Sequence, residues 1–310
     1  MSPPSHLGEP SARSLVAGDL EAVLLPGAGM LGASLRHKGV ELLGRVEDLA
    51  SAAAKGSTAG VPLLYPWANR LDGLHYRAGG RDVALDVHSP LLHFDANGLP
   101  IHGVPWSLLA WETVEVRSDY LAGRFDWGRD ELSAVFPFPH RLDMSATLRP
   151  DALALEMVVT AGMEGPVPVS FGFHPYFRLP DLPRARWRLT LPAMQRLTLD
   201  RRGIPTGERV LFDGFDAPLG TLHFDDGFAV RDEPTALALA GGGHRISVEL
   251  LEGYDYAQVF APNDGDIVAL EPMTAPTNAL VSGDGLHVIE PGGTFRATFR
   301  IRITPEQQPS

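Results

Sequence analysis

Along this chain apolar residues recur at every second position much more regularly than at every third or fourth. Near the carboxyl end Phe295, Ala297, Phe299, Ile301 and Ile303 alternate with Arg296, Thr298, Arg300 and Arg302. A period of two puts one set on each face of a strand, so this segment predicts a half-buried strand. Leu142 to Leu148 alternates equally well, and Pro150-Asp151 turns the chain into Ala152 to Thr160, which predicts a long hairpin. Trp187, Leu189 and Leu191, and later Ile246, Val248 and Leu250, predict further strands. The 33 glycines and 27 prolines are spread along the whole length and leave few windows for an uninterrupted helix of about ten residues. The best helical window is Val46 to Ala54, closed by Lys55-Gly56. Short strands separated by turns predict an all-β protein, a large antiparallel β-sandwich with few short helices.

One glycine motif tests that reading. Gly27-Ala28-Gly29-Met30-Leu31-Gly32 follows the apolar run Ala22 to Leu25 and spells the dinucleotide-binding pattern. That motif must open a helix whose N-terminus faces a pyrophosphate. Here Ala33 to Lys38 alternates like a strand and stops at Gly39, so a strand, a glycine turn and a second strand are expected.

Composition narrows the classes. With 44% apolar and 21% charged residues, the 310-residue chain can bury a sizeable core. No repeat or linker divides it, so one domain over residues 15–304 is expected, with disordered tails at 1–14 and 305–310. The net charge of −12 comes without a Lys/Arg run, which argues against nucleic acid. No stretch reaches the ~18 apolar residues of a membrane span. Residues 1–14 lack the layout of a secretory signal, so a cytoplasmic protein is expected, monomer or homodimer. The absence of cysteine excludes disulfides, thiolate chemistry and cysteine-based zinc sites.

Four segments pack polar residues among Gly, Pro and aromatics, as expected where loops meet a concave sheet face. They are Tyr65 to Arg70, Ile101-His102-Gly103, Phe171 to Phe177, and Leu270 to Pro276. His102 beside Gly103 reads equally as a turn residue. His174 precedes Pro175, which holds it extended, either as a core histidine with a backbone partner or as a reactive one. Glu271 follows the apolar run Ile267 to Leu270, and a carboxylate there is seldom buried unless paired or functional. Arg70 is a surface cation or a forked donor for hydroxyls. Trp67, Phe173 and Tyr176 offer apolar faces or simply core packing. His88, His93 and His102 lie close in sequence, yet 88 and 93 point oppositely on a regular strand, so no metal is expected. No Gly-x-Ser-x-Gly elbow occurs.

Taken together, Pro66-Trp67-Ala68-Asn69-Arg70-Leu71, His102-Gly103, His174-Pro175-Tyr176-Phe177, Phe224-Asp225-Asp226-Gly227-Phe228 and Glu271 with Pro276 resemble the aldose 1-epimerase family. The resemblance spans most of the chain and implies a galactose mutarotase-like sandwich with an open sugar cleft. It implies Glu271 as general base, His174 as general acid, His102 near the ring oxygen, and Arg70, Asn69 and Asp225 on the hydroxyls. Asp226, beside Asp225, contests that last role. The implied reaction is anomer exchange of a free glucose- or galactose-type sugar, which needs one base and one acid and no cofactor. Two alternatives stand beside it. A hexose-6-phosphate 1-epimerase would draw on Arg178, Arg201 and Arg202 for the phosphate. A non-catalytic carbohydrate-binding protein would keep the cleft without turnover.

Overall fold

The computed structural model describes residues 12–180, 182–230, 235–263 and 265–306. Two large antiparallel sheets face one another. The nine-stranded sheet runs, in spatial order, Phe215–Pro218, Arg188–Leu191, Thr235–Gly241, His244–Glu252, Thr294–Pro305, Ala152–Ala161, His140–Arg149, Tyr120–Asp126 and Glu112–Arg117. The eight-stranded sheet includes Pro205–Phe212, Met194–Leu199, Phe224–Ala229, Tyr256–Ala261, Val268–Met273, Gly172–Phe173 and Leu63–Leu64, and Tyr176–Phe177 also pairs with Val268–Met273.

The period of two is what places the core. In Thr294–Pro305, Ala297, Phe299, Ile301 and Ile303 are buried. Their neighbours Arg296, Arg300 and Arg302 pair on the outer face with Glu156, Glu249 and Asp151. Phe299 meets Phe173 of the opposite sheet at 5.0 Å between ring centroids, so the two sheets share one apolar interior. Truncating such a phenylalanine to alanine costs roughly 3–5 kcal/mol. The expected hairpin is present as His140–Arg149 against Ala152–Ala161, closed by the Arg149↔Ala152 pair.

The glycine motif does not open an α-helix. Leu20–Leu25 and Leu31–His37 pair antiparallel across a one-turn 3-10 segment, Pro26–Ala28, that ends on left-handed Gly29. The helix expected from Val46 begins later, at Leu49–Ala54, because the Asp48 carboxylate accepts the Ser51 N–H at 3.0 Å and caps it there. Two further helical turns, Asp130–Ser133 and Ala279–Ser282, are too short to leave a periodic signal. The expected amino-terminal tail needs correcting at its inner edge. Arg13 and Ser14 already belong to the strand Arg13–Ala17 and pair with Leu24 and Val23. At the other end Pro305 still belongs to a strand. Residues 1–11 and 307–310 lie outside the described residues.

Candidate active site

Register across three neighbouring strands assembles the site. Gly227 pairs with Gln258, and Gln258 with Glu271, so these residues share one face of the eight-stranded sheet. Their alternate neighbours Val259, Val268 and Leu270 enter the common core, whereas Ala269, Glu271 and Met273 face the other way. Glu271 is 2% exposed. Burial pushes its carboxyl well above the usual range, the Asp225 charge adds to this, and Arg70 opposes it.

His174 lies against Glu271, with Nε2 3.3 Å from Oε1. It is brought there by the Gly172–Phe173 strand, which pairs with Met273, and by its own N–H donating to the Pro62 carbonyl. Its ring stacks on Tyr176 at 4.2 Å and meets His102 edge-on at 5.6 Å. Burial first, then the neighbouring His102 and Arg45, lower His174 well below the ordinary histidine value. A buried acid raised and a buried base lowered leave, between them, room for one shared proton.

His102, beside His174, is tied to Asn69. Both are left-handed, with φ of 64° and 56°. That conformation costs roughly 1–2 kcal/mol per non-glycine residue, offset here by reciprocal bonding. The His102 N–H donates to the Asn69 carbonyl at 2.9 Å, and the Asn69 N–H donates to His102 Nδ1 at 3.2 Å. An Nδ1 that accepts puts the ring hydrogen on Nε2, free to donate to a ligand oxygen. Burial, helped by Arg70 and His93, holds His102 down to about 3, so it stays neutral. Gly103 is required beside it, since a Cβ there would sit 2.2 Å from the Tyr65 carbonyl oxygen.

Arg70 is anchored from three sides. Its Nε donates to Asp95 at 2.8 Å, its NH1 to the Asn69 side-chain oxygen at 3.1 Å, and Gly203 packs on the guanidinium. Burial alone would raise Asp95, but the Leu99 N–H, Arg70 and the Asn97 N–H hold it below its ordinary value, so the counter-charge stays in place. Asp225 accepts from Gln258 Nε2 at 2.7 Å. Strand parity separates it from its neighbour: Asp225 shares the Gly227 and Glu271 face, whereas Asp226 points with Phe228 to the other side, toward Arg196.

The six residues expected at the site are brought into one cluster: His174 lies against Glu271 and His102, His102 bonds Asn69, Asn69 bonds Arg70, and Asp225 reaches the Glu271 face of the sheet through Gln258. Trp67 and Phe173 are not part of it. Trp67, in an isolated bridge with Ser170, is fully buried in the core, and Phe173 packs into the same core on Phe299. Of the three clustered histidines, His88 is exposed on its loop, away from half-buried His93 and His102. Gln258 and Asp95, which bond Asp225 and Arg70, are not among the expected residues, and Tyr176, expected only as an apolar face, also brings its hydroxyl to His174. For Gln258 the available signal is a lone amide in an otherwise apolar strand, Tyr256–Ala261.

Residues 22–302 match the family model for aldose 1-epimerase. The chain is 25% identical to the uncharacterized protein YihR of Escherichia coli K12, over 93% of this chain and 92% of that protein. Among solved structures it is similar to the Slr1438 protein of Synechocystis, with 23% identity, a TM-score of 0.79 and coverage of 99% and 98% of the two chains. It is also similar to a galactose 1-epimerase from Lactobacillus acidophilus, with 14% identity, a TM-score of 0.76 and coverage of 96% and 95%.

Proposed function

Because this chain belongs to the aldose 1-epimerase family, we propose that it interconverts the α and β anomers of a free hexose, with Glu271 and His174 as its proton-transfer pair. The observation that carries this reading is the buried contact of 3.3 Å between His174 Nε2 and Glu271 Oε1. In a cyclic sugar the C1 hydroxyl and the ring oxygen are bonded to the same carbon, so an acid and a base serving both must converge. Glu271 takes the proton of the C1 hydroxyl as the bond from C1 to the ring oxygen breaks, and His174 protonates that oxygen. The open aldehyde rotates about C1–C2 and the same transfers run backward on its other face. The pair begins and ends with one proton.

The surrounding groups have matching roles. Neutral His102 donates from Nε2 to a sugar oxygen, Arg70 and Asn69 fork onto hydroxyls, and Asp225 with Gln258 accepts and donates on the far side. A phosphorylated sugar is less well served. Arg178 is engaged by Glu47, and Arg202 by Asp72 and Asp200, leaving exposed Arg201 alone of the three. A binding protein has no need of an adjacent buried acid and base, whose desolvation is costly. Anomer exchange, followed by NMR or polarimetry from pure α-glucose and α-galactose, tests the reading. Acceleration that disappears in Glu271→Gln is expected; no acceleration of any free hexose by folded wild type would overturn it.

A further inference from the structure

A reactive histidine is normally oriented through its second ring nitrogen, which donates to a carboxylate or a carbonyl. His174 has no such anchor from another residue: its Nδ1 is buried, with only its own backbone within reach. What holds the ring lies instead on the Nε2 side. Tyr176 OH is 3.2 Å from Nε2, and the Tyr176 ring lies under the imidazole at 24°. That hydroxyl is itself held twice more. Thr58 Oγ1 is 2.6 Å from it, and Arg45 NH1 donates to it at 3.2 Å while the guanidinium covers the ring at 4.7 Å. The Tyr176 backbone is fixed as well. Its N–H donates to the Gly60 carbonyl, its carbonyl accepts the Gly44 N–H, and it pairs with Ala269, two residues before Glu271 on the same strand.

We propose that Tyr176 is the positioning residue of the acid, its hydroxyl accepting the Nε2–H of His174 while Thr58 and Arg45 hold that hydroxyl in place. The donor and acceptor count allows this polarity. Arg45 can only donate, so the Tyr176 oxygen accepts from it; of the two possible directions of the Tyr176–Thr58 bond, the one assigned here sends the phenolic hydrogen to Thr58 Oγ1. The remaining neighbour, His174 Nε2, then donates. In the neutral ring the single hydrogen therefore sits on Nε2; the imidazolium, the form that acts as acid, adds a second hydrogen on Nδ1, toward the residue's own backbone. Tyr176 thereby keeps the transferable proton on the nitrogen that faces Glu271, and shares a strand pair with Glu271 so that acid and base move together.

The charged and titratable groups around His174 are Glu271 from its strand, His102 from the opposite loop, and Arg45 and Tyr176 beneath. Removing only the phenolic oxygen leaves the first three unchanged. Tyr176→Phe is expected to lower kcat about 10–100-fold, the usual range for loss of an orienting partner, with KM little changed. The imidazolium also loses an acceptor, so the acid limb of the pH–kcat profile moves to lower pH. Thr58→Val, which turns the phenolic hydrogen back toward Nε2, is expected to give a smaller drop in the same direction and decides the matter if Tyr176→Phe does not fold. The inference rests on His174 as the acid, and one control separates the two. Wild-type turnover in His174→Asn overturns that assignment and the positioning role with it. Wild-type kcat and an unmoved acid limb in Tyr176→Phe, or in Thr58→Val, beside an inactive His174→Asn overturn the positioning role alone.

Discussion

His140 and His174 are buried to nearly the same degree, 4% and 6% exposed, and both sit among aromatic rings. Their surroundings differ in one respect. His140 has a partner on each ring nitrogen: Nδ1 is 2.5 Å from the Phe138 carbonyl oxygen, Nε2 is 2.5 Å from Tyr65 OH, and the ring stacks on Trp127 at 5.5 Å. His174 has no second residue on Nδ1, and its Nε2 lies between Tyr176 OH at 3.2 Å and Glu271 Oε1 at 3.3 Å. Burial alone therefore does not mark a reactive histidine. A saturated ring holds strands together, and an unsaturated one beside an acid retains capacity for a substrate.

The largest effect expected from breaking this comparison is on chemistry. Glu271→Gln and His174→Asn should each lower kcat by roughly 10²–10⁴-fold, with melting temperatures near wild type, as measured by anomer exchange and thermal unfolding. The converse substitution, His140→Phe, strands Tyr65 OH and the Phe138 carbonyl. It should cost about 2–4 kcal/mol of stability in denaturant unfolding, while kcat per folded molecule is retained.

The pH dependence sharpens the contrast. Burial lowers His140 to about 4, with the Phe138 carbonyl and Asp126 opposing. Below pH 6.5 the unfolded chain binds a proton there that the folded chain refuses. Stability is then lost as pH falls from 6.5 toward 4, by roughly 3 kcal/mol in all from this group. His140→Phe should remove that part of the slope. Activity should follow the other pair. With His174 lowered and Glu271 raised, the one-proton form spans a broad plateau, its acid limb below the ordinary histidine value and its alkaline limb above the ordinary carboxylate value. The smallest effects distinguish the paired aspartates. Asp225→Asn should raise KM about tenfold, the worth of one charge-assisted hydrogen bond, and Asp226→Asn should leave KM unchanged.

Much of this was legible before any coordinates, for a local reason. Alternation is written within a strand, so Thr294–Pro305 and the His140–Arg149 hairpin follow from their own residues. Glu271 was legible because a carboxylate closing an apolar run is conspicuous. What was not legible depends on pairings between distant segments. Which sheet face Asp225 and Asp226 each take is set by the register of Gly227 with Gln258, and the place of Gln258 by its register with Glu271. Asp95 reads in sequence as a turn residue, which it also is, since it accepts the N–H groups of Asn97 and Leu99 while holding Arg70. Trp67 and Phe173 carried the composition of a cleft and the side-chain direction of a core, and direction was settled only by strand pairing.

The close approach of His174 to Glu271 has a last consequence for traffic with the solvent. On the proposed chemistry the sugar itself carries the proton from one partner to the other, and the reverse passage restores the starting arrangement. No hydronium or buffer ion has to reload the site between turnovers. The rate at saturating sugar should then be indifferent to buffer concentration, and an enzyme that has just released one anomer is already prepared for either.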